Sequence, residues 1–117
     1  MSRSRPRFKM TVEDVQELVR LQMGDDQALV NDHKITLRST LVPPQGISII
    51  VRTVRNERNI DQMQDVWLVG QEKPGDGYRI VLREDGMFGL ASKGFASDSH
   101  LVLVGWYGGL KAAFLGM

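Results

Sequence analysis

A single change of hydrophobic period near residue 34 narrows the fold more than any other feature of the chain. Upstream, Val12, Val15, Leu18 and Val19 recur at helical spacing and Met23 extends the stripe, while Gln16, Glu17 and Arg20 fall elsewhere on the wheel. Thr11 is placed to cap this helix, Asp14 is the reciprocal member of a capping box three residues on, and Gly24 ends it. Downstream, apolar residues alternate or form β-branched runs joined by hairpin-length links, which favours an antiparallel α+β domain over a parallel α/β one.

The strands are read from that alternation. Ile35, Leu37 and Leu41 share one strand face, opposite Thr36, Arg38 and Thr40. Pro43, Pro44, Gln45 and Gly46 read as a turn lacking two amide donors, and residues 47–54 as a central strand with apolar residues on both faces. Residues 56–64 are polar and read as a mobile loop with one helical turn. A strand over 65–70 turns at 74–77, and Tyr78, Ile80 and Leu82 then alternate with Arg79, Val81 and Arg83. Asp85-Gly86 is a type I′ hairpin signal, because both central positions of that turn need positive φ, and it leads into a short strand over 87–91. A polar loop over 92–100 precedes a buried strand at 101–104 and a short helix over 110–115 that needs a docking surface.

The expected architecture is therefore α+β: an N-terminal amphipathic helix, a curved antiparallel sheet of about five or six strands and a short C-terminal helix, in a roll or helix-grip arrangement. The expected organisation is a flexible basic tail over residues 1–10 and a single domain over 11–117. A chain of 117 residues can bury roughly two thirds of its unfolded surface, so it can hold a core without staples.

Composition removes several function classes. The chain has no cysteine, which excludes a disulfide framework, a thiol nucleophile and any thiolate metal site. No apolar stretch approaches the roughly 18 residues of a membrane helix, and the basic first ten residues are not followed by the apolar core of a secretory signal, so a cytoplasmic location is expected. Arg3, Arg5, Arg7 and Lys9 concentrate positive charge in a chain whose formal net charge is only +1. Four charges make a weak arm for nucleic acid, and a solvated terminus accounts for them better.

The catalytic inventory is thin: two histidines and no HExxH, GxSxG or GxxxxGK[ST] motif, which weighs against most familiar enzyme classes. Asp32 and His33, with Asp98 and His100, form a metal or triad set only if their loops meet, with Ser97 or Ser99 as nucleophile; solvated loop histidines account for them better, so no metal and no cofactor is expected. A ligand cavity enclosed by the sheet draws on Trp67, Tyr78, Trp106 and Tyr107, with Arg79 or Arg83 meeting an anionic group. Gly105, Gly108 and Gly109 ahead of the last helix suit an anion cradle, or simply a tight strand-to-helix turn on which Trp106 and Tyr107 pack. Arg38, Arg52, Arg79 and Arg83 could form a basic sheet face. The terminal helix, with Phe114, Leu115 and Met117, would be retained by burial across a two-fold interface, which makes a homodimer the expected partner arrangement. The function expected from these residues is a small non-catalytic protein-interaction domain. The alternative is a small-molecule-binding or sensory module, or an acid–base enzyme using His33, His100, Asp65 or Asp98.

Overall fold

A computed structural model describes residues 9–73, 76–96 and 98–117. The basic tail expected over residues 1–10 falls outside these apart from Lys9 and Met10, as do Pro74 and Gly75 of the expected turn and Ser97.

Helix α1 spans Val12–Met23 and buries Val15, Val19 and Met23. Its capping box is complete: Thr11 Oγ1 accepts from the Asp14 amide at 3.1 Å, and Asp14 Oδ2 accepts from the Thr11 amide at 3.0 Å. Residues 35–40, read from alternation as a strand, instead contribute one isolated bridge, Val30 to Thr36, and a four-residue helix α2, Leu37–Thr40. The Thr36 hydroxyl accepts from the Ser39 amide and so caps that turn, while Leu37 becomes fully buried. Leu37 and Leu41 are four apart, a spacing that satisfies helix and strand alike.

Five strands follow: β1 Leu41–Arg55, β2 Arg58–Lys73, β3 Asp76–Leu82, β4 Phe88–Ser92 and β5 Val102–Gly108, then helix α3, Leu110–Leu115. Pro43 and Pro44 lie inside β1, not in a turn; the register with β2 shifts between Leu41 and Gln45, and such an irregularity is where a sheet tolerates residues without an amide donor. The polar loop expected over 56–64 is instead the first half of β2, paired from Arg55–Arg58 inward. Its two-residue turn, Asn56-Glu57, has φ of 52° and 63°, the type I′ signature. At Asp85-Gly86, where that turn was expected, only Gly86 has positive φ, at 93°; the Gly86 amide donates to Arg83 O and the Arg83 amide to Met87 O, which describes a longer turn ending in a left-handed glycine.

The strands close into a barrel in chain order. Each consecutive pair is antiparallel, so the first and last of five strands run in the same direction and the closing pair must be parallel, as observed at Ile50–Val102. Two apolar clusters lie on opposite sides of this sheet. Ile49, Val66, Val81 and Ala91, with Ile47, Leu103 and Trp106, draw on all five strands and fill the barrel interior. Trp67, Val69, Ile80, Leu82, Phe88 and Leu90 come from β2, β3 and β4 only and form an outer face covered by Val15 and Val19 of α1 and by Leu110, Ala113 and Phe114 of α3. The sheet is curved, as the sequence implies, but it closes on its own side chains and carries its helices outside, where a helix-grip would place a helix within the curve. Gly89 makes the interior packing possible: a Cβ there would stand 2.6 Å from Gly105 O and from the Trp106 ring.

The terminal helix finds its docking surface within the chain. Phe114 is fully buried and Met117 is 8% exposed. Asn31, itself buried, donates from Nδ2 to Phe114 O at 3.3 Å and accepts at Oδ1 from the His33 amide at 2.9 Å. No described helix is long and apolar enough to cross a membrane.

Candidate functional site

Strands β1 and β2 have 15 and 16 residues, whereas β3, β4 and β5 have 7, 5 and 7. The excess projects as a two-stranded arm. β3 pairs with β2 only from Trp67 onward, and β5 pairs with β1 only at Ile50, so among the described residues the outer edges of β1 beyond Ile50 and of β2 before Trp67 have no strand paired to them. The arm carries exposed apolar side chains at Val54, Ile60 and Met63.

The direction of the free backbone groups follows from one bond. The Ile50 amide donates to Leu101 O at 2.8 Å, away from β2, so Ile50 and its partner Met63 form a pair whose backbone groups point outward. Alternation then assigns outward groups to Arg52 and Val54 on β1, and to Asn59, Asp61, Met63 and Asp65 on β2. The arm therefore offers a short edge on one side and a longer one on the other.

Where the arm leaves the barrel, Arg52 holds two carboxylates. Its Nε and Nη2 donate to Asp61 at 2.7 and 2.8 Å across the hairpin, and Nη2 and Nη1 donate to Asp98 at 2.8 and 3.3 Å in the β4–β5 connection. The guanidinium also lies 5.6 Å from the Phe95 ring centre. These bonds hold the Asp61 carboxyl below the usual range, and they do the same for Asp98, which the Phe95 amide also supports at 2.6 Å; Asp61 and then Asp98 push the Arg52 guanidinium up. Beside this tie, Ile47, Ser48, Phe95, Ser99, His100 and Leu101 line a cleft of about 600 Å³.

The residues singled out by sequence are spread over both sides of the sheet. Trp67 is buried under the helices, and Tyr78 packs against that outer cluster and stacks on His33 with ring centres 6.3 Å apart. Trp106 belongs to the interior cluster, with the Arg83 guanidinium 4.7 Å from its ring and turned to Asp85. Asp85 pushes the Arg83 guanidinium up, and Arg83 holds the Asp85 carboxyl down. Arg79, on the same strand face as Arg83, is 8% exposed and donates to Gly77 O. The Tyr107 ring lies against Gly116. These six side chains thus do not line one cavity. Gly105 lies within β5, Gly108 has φ of 90° and Gly109 precedes α3, as a strand-to-helix turn requires; the Leu110 amide donates to Gln22 Oε1 of α1 at 2.7 Å, so that amide is already engaged.

The two histidines take different partners. His33 Nδ1 meets Glu72 at 2.5 Å, whereas His100 Nδ1 meets Ser99 Oγ at 2.6 Å. Asp98 is committed to Arg52 and the Phe95 amide, so Asp98, Ser99 and His100 do not form a relay. Arg38 bonds Gln27 from α2, away from the sheet, which removes it from the basic face that its position suggested. The arm edges and the Arg52 tie were missed in the sequence; the visible signal was Arg52 and Asp61 on either side of a short polar run. No family model matches this chain, and neither a curated protein nor a solved structure matches it.

Proposed function

We propose that the protein is a small non-catalytic protein-interaction domain that acts as a homodimer. The observation that supports this reading is the projecting β1–β2 arm, which sets two open strand edges and the exposed Val54, Ile60 and Met63 outside a barrel whose own core is filled. An extended strand added to such an edge gains main-chain hydrogen bonds without a preformed pocket. The test is sedimentation equilibrium and native mass spectrometry of the untagged chain. Twice the 13.2 kDa chain mass is expected, and a protein that stays monomeric throughout the micromolar range overturns the homodimer.

A second reading, binding of a small molecule, is favoured by the cleft beside Arg52, whose volume of about 600 Å³ is that of a ligand site. It contains none of the six aromatic and arginine residues expected to line a cavity. Chemical-shift changes confined to Ser48, Ser99 and His100 during titration with a metabolite panel would support it; their absence across the panel counts against it.

A further inference from the structure

We propose that Arg79 and Lys93 hold a phosphate dianion, free or as the phosphoryl group of a small ester, at the end of the barrel where β3 and β4 part. The inference is independent of the homodimer reading and of the cleft beside Arg52, with which its site shares only Lys93.

Among the described residues Arg79 is the one charged residue that is buried. Its register explains why. Arg79 stands opposite Ala91 of β4 and Gln71 of β2, and Ala91 and Val81 belong to the interior cluster, so the side chain starts from the inner face of the sheet. Its Nη1 donates to Gly77 O at 2.7 Å, which is one bond for a group with five N–H donors. No ion pair among the described residues includes Arg79, whereas the more exposed Arg20, Arg52 and Arg83 each hold a carboxylate. Taking a charge out of water is costly unless it is paired. The guanidinium with the greatest need of an anion is thus one to which the described residues supply none.

The same register defines the space for that anion. The β3–β4 ladder runs from Leu82–Phe88 to Arg79–Ala91, and continued by two residues it would set Tyr78 opposite Ser92 and Gly77 opposite Lys93. Those four residues instead line a hollow of about 250 Å³. Gly77 leaves it unfilled: its φ is 76°, and a Cβ there would stand 2.5 Å from Glu72 Oε1. The bond to Gly77 O holds the Arg79 guanidinium at the wall of the hollow. Lys93 adds an ammonium that joins no ion pair among the described residues, and Ser92 adds a hydroxyl whose one contact, to Lys93 O, is 3.5 Å long. The lining includes no carboxylate; Glu72 is committed to the Tyr78 amide and His33, and Asp98 to Arg52. Two cations select a dianion over a carboxylate, and a phosphomonoester carries about 1.5–2 negative charges at neutral pH with three acceptor oxygens.

The test titrates inorganic phosphate into the isotope-labelled full chain, with sodium chloride at matched ionic strength as the reference. Saturable shifts of the amides of residues 77–79 and 92–93 are expected, absent with chloride and at least tenfold weaker with acetate. Lys93→Met is expected to weaken phosphate binding at least tenfold, and Lys111→Met, which removes the lysine paired with Asp26, less than twofold. Arg79→Gln is expected to abolish saturation, and where it fails to fold Lys93→Met alone decides. Methyl phosphate binding more tightly than the free ion assigns the site to an ester, and equal or weaker binding assigns it to the ion; both agree with the proposal. Shifts that follow ionic strength alone, saturable shifts confined to Ser48, Ser99 and His100, or an unchanged affinity in Lys93→Met overturn it. An Asp76→Asn chain that binds phosphate at least tenfold more tightly than the parent identifies a counter-ion within the chain and overturns it too.

Discussion

Replacing Asn31 by Ala is expected to cost about 2 kcal/mol of unfolding free energy, because this buried amide joins the α1–α2 connection to the terminal helix. Its Oδ1 accepts from the His33 amide at 2.9 Å and the Ile35 amide at 3.4 Å, and its Nδ2 donates to Phe114 O at 3.3 Å. One of these bonds has a good length and two are long. A net contribution of roughly 1 kcal/mol for the first and about half that for each of the others gives the stated total. In a domain of this size, about 4 °C of melting temperature per kcal/mol translates that into a drop near 8 °C. The assay is urea unfolding followed by tryptophan fluorescence, with the midpoint lowered and the slope unchanged. Asn31→Asp adds a sign. It keeps both acceptor bonds but turns a carboxylate toward Phe114 O and Met117 Sδ, so it is expected to be less stable than Asn31→Ala at neutral pH. Burial raises the folded-state pKa of that new carboxyl, so its deficit shrinks as the pH falls and the group becomes protonated. An alanine variant losing less than about 0.5 kcal/mol, or an aspartate variant as stable as the parent at pH 7, refutes this account of how α3 is held.

Other positions test other parts of the structure. Gly89→Ala places a Cβ 2.6 Å from backbone Gly105 O, which cannot swing aside, and is expected to lose about 1–3 kcal/mol in the same urea titration. Glu57→Gly relieves a left-handed residue in the arm's turn, where φ is 63°, and is expected to stabilise the arm by roughly 0.5–1 kcal/mol, read as slower hydrogen exchange at residues 53 and 60. Because Arg52 holds the Asp61 and Asp98 carboxyls below their usual range, their contribution is complete above the ordinary value near pH 4 and is lost as the pH falls through the lowered ones. Arg52→Met is therefore expected to be less stable at neutral pH and to show a flatter stability profile between about pH 5 and pH 2; an acid profile parallel to the parent's refutes the tie.

What the sequence made legible was what is decided locally. The Thr11–Asp14 capping box and the Val15, Val19, Met23 stripe specify α1 within the helix's own 12 residues and its cap, and the alternation from Tyr78 to Leu82 specifies β3. The first half of β2 was illegible because alternation records burial, and an arm outside the core buries neither face. Asn56-Glu57 hides its turn type in a residue that rarely adopts left-handed backbone, while Asp85-Gly86 advertises a turn that uses only its glycine. Closure of the barrel depends on residues 50 and 102 meeting, and no short window contains both. For the site, residue types were readable and faces were not. Trp67 and Trp106 look equivalent in sequence, yet one lies under the helices and the other inside the barrel.

The arm and the barrel are consequences of the same arithmetic. Five strands in a meander force a parallel closing pair, and that seam consists of Ile50–Val102 alone, with the Ile50 amide bonded to Leu101 O. Two residues beyond it the ladder between β1 and β5 has stopped, and the guanidinium of Arg52 makes the next cross-connection by reaching Asp98. An ion pair can bridge two diverging segments that a ladder cannot, because side chains span a gap that backbone groups must close to about 3 Å. Past Arg52 nothing among the described residues continues the seam, and β1 and β2 run on with each other alone. The open edges thus begin where β1 parts from β5, which pairs with it only at its first residue, Val102, and continues to Gly108 against β4. Their length is set by the mismatch between two long strands and three short ones, so the surface offered to a partner can vary in length without altering the core that supports it.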